Sequence, residues 1–578
     1  MNFIINFCPV WKKKSLVRVQ KSEFIPISDL RHLISDIIFL FIIVLSLTFS
    51  NLNAQAFKNP LKDAAWVPDL GNGYYKNPII YADYSDPDVI RVGDNFYLVA
   101  SSFDQVPGLP ILQSKDLVNW KIIGHALLRQ PPYDVYSKPQ HGNGVWAPSI
   151  RFHDGEFYIF YPDVGFGIYM VRAKNPAGPW SIPVLVQAGK GLEDPCPLWD
   201  TNGKAYLIHA YAGSRARIRN LLVLNRMNPE GTKVLDEGVI VYDGHVSDPG
   251  VEGPKFYKRN GYYYIFAPAG GVKLGWQIVL RSKNIYGPYE RRKVLAQGKT
   301  EINGPHQGAW VETQTGQSWF IHFQDRSAYG RVDLLEPMSW KNGWPTIGIN
   351  QNNEGVGEPV IIYKKPDVGK TYRVQVPQTS DEFNSVKLGP QWQWSANPGA
   401  TWLFTSGEGY LRLYAQLLPK NFKNYWDVPN ILSQKFPADK FTATTKVTFH
   451  PLSIGDKVGF IIMGRSYAYL SLINKEDGIH IVLTTCPHAD EGRSEIEQEI
   501  KKLENGKVYF KVIVNSNAVC RFSYSVDGKS FIDTGKPFTA VAGRWIGAKI
   551  GMFCTRAKDS NDSGFADFDW FRIEPLKN

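Results

Sequence analysis

Cysteine is scarce and scattered: of five in 578 residues, Cys196, Cys486, Cys520 and Cys554 lie outside the N-terminal region, far apart and without metal-ligand spacing. That excludes a disulfide-dense scaffold and a cysteine-built zinc site, and leaves open one bridge within the C-terminal part. Tight metal motifs such as HExxH or an EF-hand loop are missing as well. No long stretch beyond Phe49 repeats its apolar residues every 3.6 positions, so long amphipathic helices are not expected. Basic residues outnumber acidic ones, 65 to 54, but they fall in short groups such as ERRK and YKKP. Without the stripe of a nucleic-acid footprint, no nucleic-acid partner is expected.

A single apolar run stands out, IIFLFIIVLSLTF from Ile37 to Phe49, preceded by the basic WKKKSLVRVQK and followed by small residues around Ala54 and Ala56. Its 13 residues are few for the ~30 Å of a bilayer's hydrocarbon. The pattern reads as a signal peptide over residues 1–56, hence an exported protein, periplasmic or extracellular, with no membrane span after cleavage. The long basic segment leaves an uncleaved signal anchor as the alternative. Without residues 1–56 the formal net charge falls from +11 to +8.

What the chain does have is 17 Trp, 29 Tyr and 32 Phe alongside 51 Gly and 38 Pro. This is the composition of a β-rich, turn-rich globular protein able to stack on ring-shaped ligands. Its length implies two or more domains.

A repeat organises the first of these. GDNFYLV at 93 recurs as DGEFYIF at 154, NGKAYLI at 202, NGYYYIF at 260 and, more loosely, GQSWFIH at 316. Each copy is a turn pair followed by an aromatic-aliphatic strand, the signature of a hairpin. Most copies are followed by a second motif, SKDLVNW, AKNPAGPW, SKNIYGPY or EPMSWKNGW. Five units of about 50 residues, with several short strands each, predict a five-bladed β-propeller.

The first strand of each propeller blade lines the central channel, so one offset in every repeat converges on the axis. Counting back 11 or 12 places from Tyr97, Tyr158, Tyr206 and Tyr264 gives Asp86, Ala147, Asp194 and Glu252. The fifth copy offers His306 in GPHQGAW at a looser offset. An isolated Asp before Pro is usually a turn residue, but three acids at equivalent places in three blades would meet in one pocket, and gathered like charges signal a functional site. Two ambiguities stay open in the pattern. Asp88 shares a face with Asp86, and a proline-based alignment sets Glu252 against Glu193 instead of Asp194. Paired carboxylates suit glycosidic hydrolysis, with a third tuning their protonation; a carboxylate-held cation is the competing use.

The combination YSDPDVIRVGDNFYL, GVWAPSIRFHDGEFYIFY, EDPCPLWDTNGKAYLI, VEGPKFYKRNGYYYIF, GPHQGAW and YGRVDL resembles glycoside hydrolase family 43 over residues ~66 to 365. The resemblance implies inverting hydrolysis of xylose- and arabinose-containing saccharides. It assigns Asp86 as general base, Glu252 as general acid held protonated by an apolar setting and a neighbouring Asp charge, and Asp194 as the carboxylate that raises and orients that acid. It also places Trp146, Phe103, His306 and Arg331 as substrate-binding residues. It implies no required cofactor and no catalytic metal, with a structural Ca²⁺ near His306 as a further expectation.

From DEFNSVKLGPQWQW to ADFDWFRIEP the chain changes to alternating strands such as TATTKVTF and VYFKVIV, a β-sandwich pattern. This part resembles the concanavalin A-like domain that follows the propeller in β-xylosidases of the family. The expected layout of this all-β chain is therefore a signal peptide at 1–56, the propeller at 66–355, a linker at 356–380 and the sandwich at 381–577. Trp392 and Trp394 share a strand face and are expected to pack in the core. The function expected is an exo-acting β-xylosidase or α-L-arabinofuranosidase acting on plant cell-wall oligosaccharides. Endo-arabinanase, another family specificity such as β-galactosidase, and a non-catalytic sugar-binding propeller are the alternatives. A retaining fructan hydrolase is disfavoured because its NDPNG and RDP signatures are absent. The pattern carries no information on oligomeric state.

Overall fold

The computed structural model describes Leu61, residues 63–350 and residues 354–576; the expected signal peptide lies outside them. From Leu61 onward the chain forms one compact unit. Five four-stranded antiparallel sheets, spanning 88–127, 149–188, 192–243, 255–296 and 306–347, are the five blades. Each begins at a recurring hairpin, and the second strand of each is almost wholly buried, as in Glu156–Asp163 and Tyr262–Ala269. Strands covered by neighbouring blades on both faces are continuously apolar, which is why the repeats read as FYIF and YYIF and do not alternate.

The ring is fastened where its ends meet. Asn77 donates its side-chain amide to the Leu335 carbonyl (3.0 Å) and accepts from the Leu335 N–H (2.9 Å), tying the segment before blade 1 to blade 5. Tyr74–Lys76 pairs with Ile362–Lys364, so part of the stretch expected as a linker is a strand held on the propeller. Gln375 and Gln378 continue the attachment through bonds to Asn119 and Ile122.

Two eight-stranded sheets make the C-terminal sandwich. Phe441–His450 alternates strictly between buried and half-exposed residues, with one face inward. Trp392 and Trp394 are buried in the core, as expected. All four described cysteines are buried and free, so the C-terminal bridge left open by the sequence is not formed.

The propeller and the sandwich share a core: Tyr81, Tyr329, Val332 and Leu334 of the propeller cluster with Trp394, Phe436 and Ile550 of the sandwich. Polar contacts fix the seam. Trp394 and Val106 exchange backbone hydrogen bonds, and the Asn397 side chain bonds both the N–H and the carbonyl of Gln130. The Asp83 carboxylate accepts the Arg331 N–H on one oxygen and the Gly547 N–H on the other, both at 2.8 Å. One propeller carboxylate thus holds a propeller residue and a sandwich loop together.

Candidate active site

Asp86, Asp194 and Glu252 line one cavity of ≈ 580 Å³, together with Glu193, Phe103, Trp146, Gln307, Arg331 and Trp545. The backbone explains how they converge. Asp86 and Asp194 both precede a proline and both adopt left-handed conformations, with φ of 58° and 56°. Aspartate is among the few side chains that tolerate this region, and the twist turns the chain at the mouth of each inner strand. In blade 4 the matching position is Gly253, φ 57°, where an added Cβ would stand 2.3 Å from the Gln307 side chain. Proline therefore marks the structural register, and Glu252 reaches the cavity from the position of Glu193, one residue before that of Asp194. The aromatic count suggested otherwise because the blade 3 hairpin turn carries an extra residue: Leu198 pairs with Tyr206 eight residues on, whereas Ile90 and Tyr257 pair with Tyr97 and Tyr264 seven residues on.

Asp88 is settled by its partners. Fully buried, it accepts the Ile150 N–H and the Arg151 guanidinium, each at 2.7 Å, and takes no part in the cavity. Asp86 instead accepts Ser101 Oγ at 2.6 Å and Arg331 Nη1 at 3.0 Å. These bonds fix its orientation and compensate its charge.

Glu252 differs from its expected apolar setting. Its Oε1 lies 2.8 Å from His306 Nε2, and a third of its side chain stays exposed to the cavity. Burial works to raise its carboxyl, but the His306 hydrogen bond and charge, with Arg331, more than offset this and hold it below the ordinary glutamate value. Asp194 moves the other way: burial and then the Glu252 charge push it up to about 7, against the Gly253 N–H bond at 2.7 Å. Glu193 is also raised, by burial and then by the charges of Asp194, Glu252 and Asp86. Within the cavity the cluster's protons thus favour Asp194 and Glu193 over Glu252.

His306, expected to bind substrate, does not line the cavity: it is 1% exposed and stands behind Glu252. Its neighbour Gln307, whose Nε2 donates to Asp194 at 3.0 Å, takes the cavity place. His306 Nδ1 is buried without a hydrogen-bond partner, yet among the described residues no three His, Cys, Asp or Glu side chains are arranged to hold a metal ion. One nitrogen is not a chelating set, so the side chains present do not by themselves fit the expected Ca²⁺.

The remaining walls are aromatic. Trp146 donates to the Gly142 carbonyl at 3.1 Å and meets Phe103 edge-on, with centroids 6.4 Å apart. Trp545, from a sandwich loop, lies 6.0 Å from Trp146 and within 5.9 Å of the Arg331 guanidinium. Gly142 lets that loop approach: its φ is 76°, and a Cβ there would sit 2.8 Å from Arg544 Cγ. Sequence reasoning missed Trp545, which belongs to no repeat, and Gln307, which the repeat offset brackets.

The raised Asp194 has a consequence for stability. Its folded value of about 7 exceeds its ordinary 3.8, so the folded protein holds this proton more tightly than the unfolded chain. Ionisation costs nothing below about pH 4, and the penalty grows as pH rises to about 7. Asp194→Asn is expected to be more stable than wild type above pH 7, by on the order of 2–4 kcal/mol, with the gap closing near pH 4. Thermal melts across pH 4–8 measure this; an unchanged or lower Tm at pH 8 would contradict the burial argument.

Comparison with known proteins agrees with this geometry. Residues 75–345 match glycosyl hydrolases family 43, and residues 380–574 match the beta xylosidase C-terminal concanavalin A-like domain. A putative beta-xylosidase of Xylanibacter ruminicola is 39% identical over 520 residues, covering 88% of this chain and 92% of that one. A non-reducing end alpha-L-arabinofuranosidase of Bacteroides ovatus is 30% identical over 541 residues, covering 88% and 96%. The crystal structure of a GH43 protein from Bacillus licheniformis superposes with a TM-score of 0.75 at 28% identity, covering 87% of this chain and all of the other. With its propeller, its sandwich and three carboxylates from three blades in one cavity, the chain is a glycoside hydrolase and belongs to glycosyl hydrolases family 43.

Proposed function

We propose that this enzyme removes single xylose residues from the non-reducing ends of xylan-derived oligosaccharides, with inversion at the anomeric carbon. The observation that carries the reading is the pocket in which three carboxylates of the propeller face an aromatic wall completed by Trp545 of the sandwich. A pocket of this kind takes the end of a chain, whereas internal cleavage needs an open groove across the surface.

Asp86, held by Ser101 and Arg331, acts as the base that takes a proton from the attacking water. Glu252 gives its proton to the departing glycosidic oxygen, so that leaving group and water are activated from opposite sides of the ring. Asp194 assists through its charge and its nearness to Glu252. The His306 hydrogen bond and the His306 and Arg331 charges disfavour a proton on Glu252, but a bound sugar removes the solvent that still reaches it. That desolvation raises the cost of its charge and moves the proton toward the oxygen that needs it. Trp146 and Phe103 offer apolar faces to the sugar ring.

The xylose reading draws support from the beta-xylosidase name of the 39% identical relative. Release of arabinose is the second reading, favoured by the 30% identical arabinofuranosidase. Parallel assays on nitrophenyl β-D-xylopyranoside and α-L-arabinofuranoside distinguish the two, and proton NMR of the first-formed sugar reads the stereochemistry. Release of α-xylose from the β-linked substrate is the expected result. First-formed β-xylose would rule out inversion, and no release from either substrate would sink the exo-pentosidase reading.

A further inference from the structure

The cavity's charges are not evenly compensated. On its floor Asp86 is paired with Arg331 and Glu252 with His306, while Asp194 is bonded by Gly253 and Gln307. On its rim Arg217 and Arg219 line the same cavity, both exposed, and neither forms an ion pair among the described residues. They sit on the blade 3 connection between strands Ala205–Tyr211 and Leu221–Met227.

That connection is held at both ends. Arg215 Nη2 donates to Asn143 at 2.9 Å, and Asn220 Oδ1 accepts the Gly250 N–H at 2.7 Å. Gly191 lies so close beneath it that a Cβ would meet the Ala216 N at 2.4 Å. Arg217 itself adopts a left-handed φ of 63°. The result is a fixed turn that presents two free guanidinium groups at the pocket mouth. In a neighbouring cavity Arg465 and Arg544 stand beside Asp325 and Asp490.

A guanidinium pair of this kind suits carboxylate or sulfate oxygens, which it bonds with charge-assisted geometry. The floor carboxylates repel an anion, so its place is outward, beside the sugar that leaves. We propose that Arg217 and Arg219 recognise an acidic substituent, a uronic acid carboxylate or a sulfate ester, on the leaving-group side of the saccharide. This rests on the reading of the cavity as a hydrolytic pocket, and it makes the enzyme selective for acidic oligosaccharides over neutral ones.

The test compares kcat/KM on a neutral xylo-oligosaccharide, on the same chain carrying a uronic acid on its penultimate sugar, on the methyl ester of that uronic acid, and on a sulfated counterpart. At least one acidic substrate is expected to be preferred about tenfold, with the preference fading as salt rises to ~0.5 M. Loss of the preference on esterification identifies the carboxylate; preference for the sulfated substrate alone identifies the ester. In Arg217→Gln/Arg219→Gln the acidic-to-neutral ratio is expected to fall to near one, and in the double Lys variant to recover in part. A wild-type ratio near one for both acidic substrates, or a preference that survives the double Gln variant, overturns the proposal. Equilibrium binding of the same saccharides to Glu252→Gln protein reads the arginines without turnover. A wild-type enzyme that hydrolyses none of them while the binding preference persists would sink the hydrolytic reading and leave this one standing.

Discussion

Replacing Glu252 by Gln is expected to lower kcat on xylo-oligosaccharides by about 10²–10⁴-fold, the usual worth of a positioned general acid. The amide keeps the size of the side chain and can still meet His306 Nε2, so the cavity wall persists and the loss is chemical. The diagnostic lies in the leaving group. A sugar alkoxide needs a proton as it departs, whereas a nitrophenolate with a low pKa barely does, so on an activated aryl xyloside the same variant should lose only about tenfold. Steady-state kinetics on both substrates measures the contrast. An equal loss on both would mean that Glu252 serves another role.

Asp86→Asn is expected to behave in the opposite way. Water attack needs a base whatever leaves, so the loss should be about 10³-fold or more on natural and activated substrates alike. The carboxamide oxygen can still accept from Ser101 or Arg331, and melting should stay near that of wild type. A variant that lost activity only on natural substrates would exchange the roles of the two acids. Taken together, the two variants separate protonation of the departing oxygen from activation of water.

The floor of this site was legible in the sequence because propeller geometry turns a linear offset into convergence on one axis. Asp86, Asp194 and Glu252 could be found by counting back from the hairpin aromatics, and the prolines beside them mark a left-handed turn shared by three blades. The count misplaced Glu252 by one residue because the hairpin turn of blade 3 is one residue longer than those of blades 1 and 4, which shifts the aromatic used as the anchor and leaves no mark in the hydrophobic pattern. His306 was legible as a residue of the site but not as a partner of Glu252, since a pairing between blades has no fixed spacing. Trp545 was invisible for a different reason. It comes from a sandwich loop whose reach depends on docking across the Asp83 seam and on the absence of a side chain at Gly142.

The Asp83 seam also bears on how the enzyme comes into being. Synthesis delivers the propeller before the sandwich loop that carries Trp545. A chain halted in between owns every acid of the floor but lacks the wall that Trp545 supplies and the Gly547 N–H that Asp83 awaits. The pocket is therefore finished only when the sandwich is, and a product truncated before Trp545 carries bare carboxylates open to water in place of a working enzyme.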